Sequence, residues 1–317
     1  MTDTQNEVFK TPVNKIRLFE HGAPGSQNLK LTRKYYTEDM PDGRVKHIVQ
    51  NITDPDIVPY IPDGIGNSTD RQRIPAVLII PGGAFRRLVY NFEGEDVAKW
   101  LNSMGIAAFV LECRLPSDEH DNAEDVPLID AMRAMRVIRG RAQEFGIDEA
   151  KIGVMGFSAG GFMAALLSTA YESDVYADYK YKDEYDKLSA RPDFDVCSYP
   201  VISIDDCIEA GKRYMSEEQV LERISDSKAK ILHKYNPDKL VRPDMPPVFI
   251  CETDDDRTTL SENSVGFYMA ARKAGVSAEL HIFRTGGHGY GCGDDFAQTG
   301  EWKVLFTKWI KSIGIIS

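Results

Sequence analysis

The chain has 317 residues, 42% of them hydrophobic, and its 38 lysines and arginines stand against 49 aspartates and glutamates for a net charge of −11. That length and apolar content suffice for one large core in a single domain, residues 1–317. The acidic balance excludes nucleic acid and anionic membrane surfaces as partners, because phosphate neutralisation needs clustered cations.

Residues 1–75 mix polar loops with strand-like segments at Leu29–Tyr36, Val45–Asn51 and Ile57–Ile61, expected as antiparallel edge strands and connections. From Ala76 onward strand and helix patterns alternate, which indicates a mostly parallel sheet flanked by helices on both faces. Ala76–Ile80 is a continuous apolar run of the kind a buried parallel strand needs, and it ends in Pro81-Gly82-Gly83-Ala84-Phe85. Ile106–Leu111 is a further buried strand. Asp118-Glu119-His120-Asp121 reads as a hydrated charge run and not a metal site. Leu128, Met132, Met135, Ile138, Ala142 and Phe145 recur at helical spacing and face the core. The run Ile152–Met155 then leads into Gly156-Phe157-Ser158-Ala159-Gly160-Gly161 and a helix through Leu167.

Beyond that helix, Tyr171, Tyr176, Tyr179, Tyr181 and Tyr185 alternate with charges in what reads as a solvated connection. Phe194–Ser203 is expected as a core strand, the sixth. Residues 204–242 then form an excursion with a helix near Glu217–His233, placed to cover the site as a small cap. The sheet resumes at Pro247–Cys251 and Ala278–Phe283, and Trp302, Phe306, Trp309 and Ile310 stripe the last helix. The odd set Cys113, Cys197, Cys207, Cys251 and Cys292 lacks Cys-x-x-Cys spacing and suits a reducing compartment. Met1–Glu7 has neither a basic nor an apolar leader region, so a cytoplasmic protein is expected. No apolar stretch reaches the roughly 18 residues of a membrane span.

The chemistry centres on Gly156-Phe157-Ser158-Ala159-Gly160. A serine on a sharp strand-to-helix turn sits in a strained backbone, and glycines on either side remove collisions with the adjoining elements. The hydroxyl then points out of the sheet, and the helix N-terminus adds positive potential where an oxyanion would form. One oxyanion donor is expected from the N–H of Ala159 and the other from the glycine loop, at Gly83 or Ala84. A base and an acid should follow in that order of acid, then histidine. His281 lies in an apparent strand and reads as a packed side chain. His288, in Gly286-Gly287-His288-Gly289, is free to present its imidazole as general base. Asp254, Asp255 and Asp256 all follow the penultimate strand, and one of them should orient His288.

With these residues in order, the chain resembles the α/β-hydrolases of the acetyl xylan esterase-like, sugar-ester hydrolase group. The resemblance rests on Phe19–Gly25, Pro81-Gly82-Gly83, Phe92-Glu93-Gly94-Glu95, Cys113-Arg114-Leu115, Lys151–Gly161, Glu262-Asn263-Ser264 and Arg272–Val276. It implies the α/β-hydrolase fold and hydrolysis of small acyl esters. The substrates would be O-acetyl groups on xylo-oligosaccharides or related plant sugars, imported ones if the protein is cytoplasmic. In such sequences the catalytic aspartate opens an Asp-x-x-Val pattern. Aligning on Glu262-Asn263-Ser264 places it on Asp255, with Thr258 where valine is usual. Ala84 stands where relatives carry a third glycine. Arg86, Arg114 and Tyr290 are candidates to touch substrate, and Arg114 could equally buttress the loop. The mechanism calls for no cofactor and no metal. Feruloyl or general short-chain carboxylesterase activity, a formamidase-type amidase, and a non-catalytic binding protein on the same fold are the alternatives. A homo-oligomer is compatible with the sequence.

Overall fold

Strands form at Ile16–Arg17 (β1), Lys34–Asp39 (β2), Val45–Gln50 (β3), Asp56–Tyr60 (β4), Ile74–Ile80 (β5), Leu88–Val89 (β6), Ala107–Glu112 (β7), Ile147–Phe157 (β8), Asp195–Ser198 (β9), Val248–Thr253 (β10) and Ala278–Phe283 (β11). The computed structural model describes residue 9 and residues 13–65, 73–216, 218–220, 227–293 and 298–317. Eight strands make the main sheet in the order β1-β4-β7-β5-β8-β9-β10-β11. From β7 to β11 every pair is parallel, whereas β1 and β4 join antiparallel at one edge. The central strands are apolar almost without break because helices cover them on both faces. A separate antiparallel sheet, β2-β3-β6, flanks the main one.

Helices Asp96–Ser103 (α1), Val126–Gly140 (α2), Ala142–Phe145 (α3) and Ala159–Ala170 (α4) follow their strands as crossovers. The stripe expected over 128–145 is real but breaks at Arg141 between α2 and α3. Trp302–Ser312 closes the chain as a helix, and its Trp302 ring meets Trp100 of α1 edge-on at 4.9 Å. One continuous apolar core runs from Leu18 to Ile315. At roughly 1.5–3 kcal/mol per buried large apolar side chain, it is the dominant favourable contribution to folding.

Three elements differ from the sequence expectation. The strand expected at Leu29–Tyr36 forms instead at Lys34–Asp39, because Arg33 turns away from the ladder into a buried charge cluster. Arg33 Nη1 lies 2.6 Å from both Asp56 and Glu112, and Lys15 Nζ lies 2.6 Å from Glu112, whose side chain is fully buried. The expected strand Phe194–Ser203 stops at Ser198. Tyr199 turns with φ of 39°, and the next backbone N–H groups leave the sheet: Val201 donates to Ser158 O, and Ile202 and Ser203 both donate to Asn263 Oδ1. The excursion begins with a helix at Ile204–Tyr214, capped by Ser203 Oγ accepting from Asp205 and Asp206 N–H, the usual N-cap device. Of the helix expected near Glu217–His233, residue 217 and residues 221–226 lie outside the described ones. The rest includes a helix at Ser227–Lys234. Its last residue, Lys234, pairs with Asp125 at the start of α2 at 2.6 Å, and Tyr235 also donates to Asp125.

Candidate active site

Ser158 stands between the end of β8 and the start of α4, with φ of 53° and ψ of −118°. Such a conformation in a non-glycine residue costs about 1–3 kcal/mol and persists only where its surroundings enforce it. They do so here through the backbone. Ser158 N–H donates to Ser198 O at 3.0 Å, and Ser158 O accepts from Phe162 N–H at 3.1 Å and Val201 N–H at 3.3 Å. The flanking glycines are required sterically. A Cβ on Gly156 would lie 2.0 Å from Gly160 O, and one on Gly160 would lie 2.0 Å from Ile80 O.

The Ser158 hydroxyl lies 2.8 Å from His288 Nε2, and His288 Nδ1 lies 2.6 Å from Asp256 Oδ2. Asp256 is 2% exposed. Its carboxylate also accepts from Thr258 N–H at 2.7 Å, Thr259 N–H at 3.0 Å and Thr259 Oγ1 at 2.9 Å. Burial pushes this carboxyl up, but the His288 hydrogen bond and charge, with the two backbone donors, outweigh burial and hold it below the ordinary carboxylate range. Asp256 therefore remains an anion opposite the imidazole.

The expectation that Asp255 fills this position is corrected by one residue. Asp255 is exposed, and its Oδ1 accepts from Gly286 N–H at 2.9 Å and Gly287 N–H at 2.8 Å, so it fastens the loop that carries the histidine. The signal for the right register was local. Asp256-Arg257-Thr258-Thr259 is an aspartate turn, whose carboxylate caps the N–H groups two and three residues on.

The glycine loop runs beside the serine. A Cβ on Gly82 would fall 2.9 Å from Ser158 Cβ and 2.8 Å from Glu93 Oε2. Gly83, Ala84 and Phe85 all have positive φ, at 138°, 56° and 60°, in a turn whose Gly83 carbonyl accepts from Arg86 and Arg87 N–H. Ala84 thus adopts the left-handed conformation despite its Cβ, at a cost of about 1–2 kcal/mol. Ala159, first in α4, has no intrahelical carbonyl for its N–H. A cavity of about 10 Å³, room for a single water-sized group, opens between this loop and α4. Gly82, Phe85, Leu115, Pro127, Ala159 and Met163 line it.

Two of the three expected substrate contacts are corrected. Arg114 is fully buried and forks onto Asp130, with Nη2 at 2.7 Å and Nε at 3.0 Å from Oδ1, while Nη1 donates to Ser26 Oγ at 2.8 Å and to the Pro24 carbonyl. With every face occupied, it buttresses the segment around Pro24 and Ser26. Tyr290 is 4% exposed and its ring packs 4.5 Å from that of Tyr199. Arg86 is exposed beside the glycine loop.

Other polar segments are less solvated than their composition suggested. His120 is buried, with Nδ1 3.0 Å from Ser26 Oγ, so the acidic run around it is not simply hydrated. Tyr171 and Tyr176 are also buried, bonded to Asp244 at 2.7 Å and Asp186 at 2.9 Å. His281 is half-buried and paired with Glu279 at 2.8 Å, as an edge-strand side chain. Cys113, Cys197, Cys251 and Cys292 are buried. The side chain of Cys207 lies outside the described ones. Among the described residues no three His, Cys, Asp or Glu side chains gather as metal ligands would, and no helix is long and apolar enough to cross a membrane.

Sequence reasoning missed two residues of the site, Glu93 and Tyr199. Glu93 lies in a wide helical turn, Asn91–Glu95, closed by Glu95 N–H to Tyr90 O at 2.8 Å, a geometry found often at functional sites. Tyr199 was hidden within the apparent strand.

Comparison with known proteins identifies the family and its relatives. The BD-FAE family matches residues 65–270. An acetylxylan esterase of Xylanibacter ruminicola is 31% identical over 240 residues, which are 75% of this chain and 45% of that protein. Endo-1,4-beta-xylanase B of Butyrivibrio fibrisolvens is 31% identical over 227 residues, 71% of this chain and 34% of that one. The chain therefore spans less than half the length of these curated relatives. The crystal structure of an acetyl ester-xyloside bifunctional hydrolase from Caldicellulosiruptor lactoaceticus is similar with a TM-score of 0.70 and 34% identity, covering 96% of this chain and 97% of that one. A carboxylesterase from Lactobacillus plantarum WCFS1 shares the fold with a TM-score of 0.67 at 20% identity, covering 90% and 99%. With the family match spanning most of the chain, this chain belongs to the BD-FAE family of α/β-hydrolase esterases.

Proposed function

We propose that this protein is a serine carboxylic-ester hydrolase that removes small acyl groups, chiefly O-acetyl, from acetylated xylo-oligosaccharides or related plant sugars. The observation that carries the reading is the relay from Ser158 through His288 to Asp256, at 2.8 and 2.6 Å, on a strained elbow. Ser158 Oγ attacks the ester carbonyl as His288 Nε2 takes its proton. Asp256 holds the other ring proton on Nδ1, so Nε2 is the acceptor, and its charge stabilises the imidazolium. The N–H groups of Ala159 and of Gly83 or Ala84 bind the oxyanion of the tetrahedral intermediate, where each donor is worth about 2.7–4 kcal/mol. As the intermediate collapses and the bond to the sugar oxygen breaks, His288 gives the proton to that oxygen, which leaves as a hydroxyl. Water then attacks the acyl-serine by the same route and releases the acid.

The preference for a short acyl group is supported by the small size of the cavity between Gly82 and Met163, which has room for about one water-sized group. The sugar assignment is supported by the similar esterases named above, which act on acetylated xylan or xylosides according to their names. Incubating the protein with acetylated xylo-oligosaccharides and measuring acetate tests both. The wild type should release acetate and Ser158→Ala should lose on the order of 10⁶ in kcat. No acetate from any sugar alongside fast cleavage of feruloyl esters or formyl amides would overturn the sugar-acetate reading.

A further inference from the structure

We propose that Glu93 is a positioning residue for acyl transfer, a second buried carboxylate that locks the oxyanion loop and stabilises the charged form of His288. This rests on the serine-hydrolase reading above. Glu93 is 5% exposed, and both its oxygens are occupied. Oε2 accepts from Gly82 N–H at 2.8 Å and Oε1 accepts from Tyr199 Oη at 2.9 Å. Tyr199 Oη in turn accepts from Gly291 N–H at 3.1 Å, so its own proton is directed to Glu93. Every group around the carboxyl is a donor. Nothing accepts a proton from it, and that arrangement solvates the anion, not the acid.

Each end of the network terminates in the reaction machinery. By taking the Gly82 N–H, Glu93 fixes the orientation of the following peptides, so the N–H groups of Gly83 and Ala84 remain for substrate. At the other end, the Tyr199 ring meets the His288 ring edge-on at 5.0 Å, and Gly291 belongs to the histidine loop. A Cβ on Gly291 would lie 2.7 Å from Phe92 O, so the loop also rests on the residue preceding Glu93. Burial outweighs the other influences and holds the Glu93 carboxyl above its ordinary value, and the charge of His288 is the largest of those that favour the anion. That attraction is reciprocal: a Glu93 anion favours the imidazolium that forms when Ser158 attacks. Asp256 acts on His288 through a direct bond, whereas Glu93 acts through space and through Tyr199.

Two variants separate positioning from packing. Glu93→Gln keeps the shape but turns an amide toward donors and removes the charge. Tyr199→Phe keeps the ring against His288 and removes only the hydroxyl link. With p-nitrophenyl acetate, Glu93→Gln should lose roughly 10- to 100-fold in kcat, the cost of a broken charged hydrogen bond, with KM nearly unchanged. The acidic limb of its kcat/KM profile should move to lower pH, because the imidazolium has lost a stabilising anion. Tyr199→Phe should show a smaller kcat loss in the same direction. Serine labelling by a phosphonate reagent should slow in parallel. Wild-type kcat and an unmoved acidic limb in a folded Glu93→Gln protein would overturn the proposal. If that variant does not fold, an unchanged kcat and limb in Tyr199→Phe would do so. The underlying reading fails separately, if Ser158→Ala retains wild-type turnover.

Discussion

Replacing Asp256 by asparagine should nearly abolish turnover, while the same change at Asp255 should barely register. The Asp256 carboxylate accepts from His288 Nδ1 and Thr259 Oγ1 on Oδ2, and from the N–H groups of Thr258 and Thr259 on Oδ1. In Asp256→Asn the amide oxygen stays with the two backbone donors, which leaves the amide NH₂ facing Nδ1. A ring nitrogen opposite a donor must be unprotonated, so the proton moves to Nε2 and points at the Ser158 oxygen. The histidine then cannot accept the serine proton. The corresponding tautomer error in the best-studied serine protease costs about 10⁴ in kcat, or about 5.5 kcal/mol. In Asp255→Asn the amide oxygen can still accept from Gly286 and Gly287 N–H, at 2.9 and 2.8 Å in the wild type. Only the charge is lost, and at this exposed position that is worth about 1 kcal/mol or less, a fewfold effect at most. Steady-state hydrolysis of p-nitrophenyl acetate, with urea melts to show that both variants are folded, measures the contrast. Comparable activity in the two variants, or the larger loss at Asp255, would refute the assignment of Asp256.

Ser158→Gly should be inactive yet more stable by about 1 kcal/mol, because glycine relieves the strained φ of 53°; a lower denaturation midpoint would contradict the strain. Met163→Ala should enlarge the cavity beside Ala159 and raise kcat/KM for p-nitrophenyl butyrate relative to acetate, by about 4-fold or more at ~0.8 kcal/mol per buried CH₂. An unchanged acyl preference would remove that cavity from the specificity argument. Burial, with the charge of Arg114, pushes His120 down to about 4. A histidine depressed in the fold contributes stability that is full above its unfolded value near 6.5 and is lost as pH falls toward 4, here about 2–3 kcal/mol. Urea melts of the wild type at pH 7 and pH 4.5 should show the loss and His120→Asn should flatten it; equal slopes in both would refute it.

What was legible in the sequence was whatever is written in neighbouring residues. The apolar run Ala76–Ile80 and the glycines around Ser158 and His288 describe their own local geometry, and the strands and elbow lie where they indicate. The carboxylate register was not legible in the same way. Three consecutive aspartates differ only in where a turn aims them, and Asp256 is selected by Thr258 and Thr259 beneath it and by a loop more than thirty positions away. Arg114 resembled a substrate contact until Asp130, one helix further on, was seen to occupy its guanidinium. Glu93 was invisible because its meaning depends on Tyr199, 106 positions distant. Long-range pairing of buried polar groups has no period or spacing to betray it.

The cluster of Lys15 and Arg33 with Asp56 and Glu112 bears on where this protein can be cut. Removing one side of a buried ion pair typically costs about 3–5 kcal/mol, since the remaining charge keeps its dehydration without its partner. Glu112 ends β7, where the parallel strands meet the antiparallel flank, and both its cations come from residues before 65. The stretch shared with the family, residues 65–270, also leaves out β1 and β4 at one margin of the sheet and β11 at the other. Excised along those limits, the chain would expose two unpaired strand margins and a stranded anion, a combination that favours intermolecular sheet growth. The unit recognised by ancestry is smaller than the unit whose strand margins and buried charges are paired, and truncations meant to yield a minimal catalyst should keep the segment from Lys15 onward.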